Sequence, residues 1–175
     1  MPPTTIQINR APVLTLWAAV VAERMGFERK EALSLGKCLA GLNAQAKGRA
    51  LGIYKPHEGG VKKMRQAPRG EEFWVELCGR PIPAKNTDEG VRAVTGDKPI
   101  DAAAAERYLE SKFGDALPAV RAAMEKLAAA FEPDELEARA FSLYEAFRPE
   151  IPRGVRGWGA KGTLDLDKIV GLASK

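Results

Sequence analysis

From Ala11 to Ala22 the sequence reads APVLTLWAAVVA, twelve residues without a charge, and no other stretch is apolar for as long. A helix built from it is apolar on every side, so it has to be surrounded by other elements rather than lie on a surface. A membrane span needs about twenty such residues. Arg10 ahead of the run imitates a secretory signal, but the run passes into Glu23-Arg24-Met25-Gly26 with no small-x-small cleavage site. The reading is therefore a central core helix in a cytoplasmic protein with no membrane contact. Pro12 suits its first turn, where a missing N–H has no partner to lose, and Gly26 suits a left-handed cap at its end.

The rest of the chain points the same way. A length of 175 residues is enough for one domain of ordinary size. The 28 alanines fall mostly in blocks that favour helix. A second helix is expected from about Glu28 to Gly48. Leu35, Leu39, Leu42 and Ala46 make its buried stripe, and Lys30, Ser34, Lys37, Gly41 and Gln45 its outer face. Gly36 and Gly41 inside it mark close packing or a break. Phe73 to Cys78 reads as a strand, turned by Gly79-Arg80-Pro81, with Ile82 onward or Val91–Thr95 pairing back. Three helices follow. Asp101 caps the first, which ends at Gly114. Pro118 sits in the opening turn of the second, which runs to about Phe131. Pro133 opens the third, which buries Leu136, Ala140, Leu143, Tyr144 and Phe147 and stops at Pro149. Residues 151–162 read as irregular, and a short helix over about Asp165–Ala173 closes the chain. The fold class is mainly α, about six helices, with a small β-hairpin or ribbon of two to three strands between 72 and 95. One domain over 1–175 is expected, with lobes at 12–95 and 100–175. A helix pair, a basic loop and then a strand resembles a winged-helix layout, which implies a nucleic-acid-reading N-terminal half.

Charge is uneven. The net charge of +4 hides a segment, Lys47 to Gly70, with seven basic residues (Lys47, Arg49, Lys55, Lys62, Lys63, Arg65, Arg69) against the single acid Glu58. Residues 71–150 are net acidic. A Gly-rich basic segment of this kind tracks a phosphate backbone, and Tyr54 and His57 within it can stack on bases. The spacing Ala22-x-x-x-Gly26, then Ala32 and Leu35, matches a helix-turn-helix. Its second helix would offer Lys30, Ser34 and Lys37 to phosphates or base edges. Gly157-x-Gly159-x-x-Gly162 has dinucleotide-loop spacing, but prolines precede it, and the thirteen residues after it hold neither a long helix nor the acid such a site needs about twenty positions on, so it does not read as a Rossmann loop. Its amides beside Arg153, Arg156 and Lys161 remain a candidate anion site. One histidine and two cysteines cannot build a zinc site alone, and no cofactor, metal or catalytic residue is assigned.

The leading expectation is a small non-catalytic protein that binds DNA or RNA. The alternative is a protein-interaction or structural module, homo-oligomeric, with its basic loop docked on residues 132–150 of a second copy. The third is an enzyme that takes a phosphorylated small molecule at the Arg153–Thr163 loop.

Overall fold

The apolar run folds into helix α1 (Arg10–Arg24), directly after strand β1 (Thr5–Asn9), and every residue from Pro12 to Ala22 is buried. The computed structural model describes residues 5–48, 72–88, 90–95, 98–149 and 161–173. Gly26, at φ +111°, ends α1 with its amide on Glu23 O (3.0 Å), while the Phe27 amide reaches Ala22 O (3.1 Å). This pair of bonds is a Schellman cap, and buried Phe27 supplies its apolar contact. Helix α2 (Arg29–Gly48) then returns along α1.

What lets the two helices meet is Gly36. A Cβ there would stand 2.5 Å from Thr15 O and 3.0 Å from Ala19 N, both backbone atoms of α1. Ala32, Gly36 and Ala40 recur every four residues along α2, and both alanines are buried. They form a ridge without side-chain bulk, on which the backbones approach closely. Of the two readings the glycine allowed, close packing is the right one, and α2 continues unbroken through it.

The insert is larger than the expected two to three strands. Strands β2 (Glu72–Leu77), β3 (Arg80–Thr87), β4 (Gly90–Thr95) and β5 (Lys98–Pro99) form one antiparallel meander in the order β2-β3-β4-β5. The β2–β3 turn is Cys78-Gly79, both at positive φ (52° and 78°), the twist a two-residue hairpin requires. A second sheet escapes the sequence reading altogether. Strand β6 (Lys161–Asp165) pairs antiparallel with β1, from Thr5 opposite Asp165 to Asn9 opposite Lys161.

The remaining helices follow their signals closely. Helix α3 (Ala102–Phe113) is capped by Asp101, whose carboxylate accepts the Ala103 amide at 3.1 Å. A single 3-10 turn leads into α4 (Leu117–Ala129), with Pro118 in its first turn, and Pro133 opens α5 (Pro133–Phe147). Asp165 caps α6 (Leu166–Leu172). Leu143, expected in the buried face of α5, is only partly covered; the other four residues of that face are buried.

Helix α1 lies at the centre, touching α2, α3, α4 and α5. Trp17 is fully buried; its indole N–H donates to Ala140 O of α5 (2.9 Å) and its ring meets Phe147 edge-on at 5.3 Å. Arg24 donates to Phe131 O just beyond the end of α4, and Glu23 pairs with Arg121 of α4. Residues of both expected lobes belong to one continuous hydrophobic cluster drawn from all of these helices and from β1–β4 and β6. Among the described residues no helix is long and apolar enough to cross a membrane.

Two chemically identical substitutions should act in opposite directions. Gly36→Ala gains helix propensity but forces the α1–α2 backbones apart, and should cost roughly 2 kcal/mol or more. Gly41→Ala meets nothing within 4 Å and should stabilise by up to about 1 kcal/mol. Urea midpoints of the two variants and the parent check both signs.

Candidate functional site

The outer face expected for α2 is largely an inner one. Ser34 is fully buried: its hydroxyl donates to Ile100 O (2.8 Å) and accepts the Ala93 amide of β4 (2.9 Å). One turn earlier, buried Glu31 accepts the Val91 amide of β4 on one carboxylate oxygen (2.9 Å). Its other oxygen accepts the Glu28 amide at the helix start (3.0 Å), the return half of a capping box. One turn later the Cys38 thiol lies 4.0 Å from Val94 O. Residues 31, 34 and 38 are thus a polar seam running along β4: Glu31 and Ser34 satisfy amides that would otherwise need a further strand, and Cys38 meets a carbonyl. The groove-facing role expected for Ser34 is overturned, because its hydroxyl is already spent on two backbone groups inside the protein. Between Glu31 and Ala40 only Lys37 reaches the surface, so this part of α2 offers no face for reading a groove.

What remains exposed there is cationic. Lys30 is exposed, seven residues and so about two turns before Lys37 on the same side of α2. The Lys37 ammonium sits 3.9 Å from the ring centroid of Tyr108 on α3, and Lys112, one turn along α3, approaches the same ring at 5.9 Å. Neither lysine is ion-paired with a described carboxylate. Arg29 differs, being bridged to Glu106 at 3.3 Å. Burial and then the nearby Lys112 charge hold the Lys37 ammonium below its ordinary range, as expected for two like charges set over one ring. The ring face is attractive to either ammonium. The result is a junction between α2 and α3 where two ammonium groups meet with no ion-pair partner among the described residues. Tyr108 and Lys112 were not singled out in the sequence; their i, i+4 spacing on α3 is the only local sign of them.

The other expected ligands divide. The backbone of Lys47 falls in the last turn of α2. Arg49, Lys55, Lys62, Lys63, Arg65 and Arg69 lie outside the described residues, as do Tyr54, His57, Arg153 and Arg156. Lys161 opens β6, opposite Asn9. The described residues carry eighteen basic and eighteen acidic side chains, so the net charge of +4 arises entirely outside them. Among the described residues no group of three or more His, Cys, Asp and Glu side chains is placed to hold a metal.

Both cysteines are buried and free. Burial raises the Cys38 thiol to about 12, and burial together with the Glu137 charge raises the Cys78 thiol further. Only the thiolate is nucleophilic, so at pH 8 both groups stay protonated as well as covered. A chromogenic disulfide reagent at pH 8 should show no fast phase with the native protein, and should titrate both thiols in denaturant. Ser34→Ala, which orphans the buried Ala93 amide and Ile100 carbonyl, should cost about 1–3 kcal/mol in a thermal or urea melt.

No protein-family model matches this chain, and neither does any curated protein or solved structure, so the use of this surface is read from its own groups.

Proposed function

We propose that the protein binds nucleic acid without catalysis, through the cationic junction of α2 and α3. The observation that carries this reading is the Lys37–Tyr108–Lys112 cluster, with two ammonium groups at 3.9 and 5.9 Å from one ring and neither paired with a carboxylate among the described residues. An anionic polymer supplies the missing counter-charge, and release of its condensed counterions drives the association. Lys30 extends the cluster toward the start of α2. At its other end α2 leads, through Lys47, into the segment with seven basic residues and one acid, which adds further backbone contacts. With Ser34 internal, the expected contacts are to phosphates, so the binding should discriminate little between sequences.

Gel-shift titrations with single- and double-stranded probes at two salt concentrations test the reading. Binding should weaken steeply with salt. The double variant Lys37→Gln/Lys112→Gln should lose roughly tenfold in affinity per contact at 0.1 M salt, and the log–log salt slope should flatten by about 2. Arg29→Gln, already engaged with Glu106, should change little. Absence of any retarded complex at low salt overturns the reading. A salt-sensitive dimer found instead by sedimentation replaces it with self-association.

A further inference from the structure

We propose that Arg10 and Arg148 form a phosphate-binding site at the start of α1, beside the hydroxyl of Tyr144. This site is separate from the α2–α3 junction and does not depend on it. Arg10 is the first residue of α1, and its Nε donates to Pro149 O at 3.0 Å, just beyond the end of α5. That bond brings Arg10 to the residue next to Arg148, whose guanidinium lies 6.0 Å from the Tyr144 ring centroid. The hydroxyl of buried Tyr144 donates to Arg10 O at 3.5 Å and so ties α5 to the first residue of α1. Two guanidinium groups therefore share one end of the molecule.

Their charge is poorly answered from within. Neither arginine is ion-paired with a described carboxylate. The first turn of α1 contains no acidic residue, and the Asn9 side chain does not cap it. Arg10 thus adds its charge to the positive end of a helix dipole, where a cation is disfavoured and an anion favoured. The Pro149 carbonyl and the negative end of α5 offset part of this, and Glu145, one turn back on α5, is the acidic residue that bears on Tyr144. Consistent with crowding, burial and then Arg148 lower the pKa of Arg10. Lys161, at the register position opposite Asn9, opens β6 at the same end. A guanidinium presents a planar fork of donors that matches two oxygens of a tetrahedral oxyanion, so paired arginines suit phosphate better than a simple monovalent ion.

The test uses the full chain and inorganic phosphate. Calorimetric titration should show saturable, millimolar binding, and phosphate should raise Tm beyond sodium chloride at equal ionic strength. Arg148→Gln should abolish both effects and Arg148→Lys should weaken them, while Lys37→Gln/Lys112→Gln should leave them intact. No phosphate binding by the parent protein, or an unchanged response in Arg148→Gln, overturns the proposal. Two sources of the phosphate are told apart by a competing single-stranded oligonucleotide: competition assigns the site to backbone phosphate, and its absence to free phosphate or a phosphorylated small molecule.

Discussion

The contact between Gly36 of α2 and the backbone of α1 at Thr15 and Ala19 governs the architecture. A helix as evenly apolar as α1 cannot leave any side to water, and covering it takes several neighbours at short range. Because α2 carries no side chain at that crossing, it lies close enough to shield one flank of α1 along most of its length. The other flanks go to α3, α4 and α5, with Trp17 anchored to α5 by both its ring and its indole N–H. An interior at crystal-like density tolerates little displacement, so the position of α2 is inherited by everything docked on its far side.

What docks there is the β4 strand, and the joint is polar. Glu31, Ser34 and Cys38 line up along one side of α2 and meet β4 through backbone atoms. A sheet edge is ordinarily closed by another strand or left to solvent. Here β5 covers only the last part of β4, and helix side chains close the stretch before it. The cost of burying a carboxylate is offset because it accepts two amides, one from its own helix start and one from the strand. The same arrangement leaves Lys37 as the outward residue of this part of the helix. It is directed to the seam where α3 crosses, so the cationic junction follows from how α2 is held.

Much of this could be read from residues alone, for a reason visible in each case. Helix limits are announced by local chemistry: Gly26, Asp101, Pro118, Pro133 and Asp165 all act within a turn of where they stand. Burial of α1 follows from composition. The inner role of Ser34 and Glu31 could not be read, because periodicity assigns polar residues outward and carries no sign that a strand amide waits for them. The ambiguity of Gly36 is of the same kind, since only the partner backbone distinguishes close approach from a break. Of the candidate site, Lys37 was legible as a cation on the polar side of a helix. Tyr108 and Lys112 were not, because the α2–α3 crossing joins segments some seventy residues apart in the chain. Pairing of β1 with β6 is the extreme case, with no sequence-local trace at all.

That last pairing has a consequence for how the molecule is made. Gln7 and Thr163, bonded side chain to side chain across the ribbon, are 156 positions apart. During synthesis the strand leading into the core helix therefore waits for the chain to grow 156 residues beyond Gln7 before its partner exists. Until then Ile6 lacks Leu164, the residue opposite it in the ribbon, and the entrance to α1 is unlatched. Helical pairs such as α1–α2 can assemble while translation continues, but closure at this end comes after them. The nascent protein thus passes through a stage in which α1 to α5 can already pack while this one door stands open, the interval in which a chaperone has most to offer.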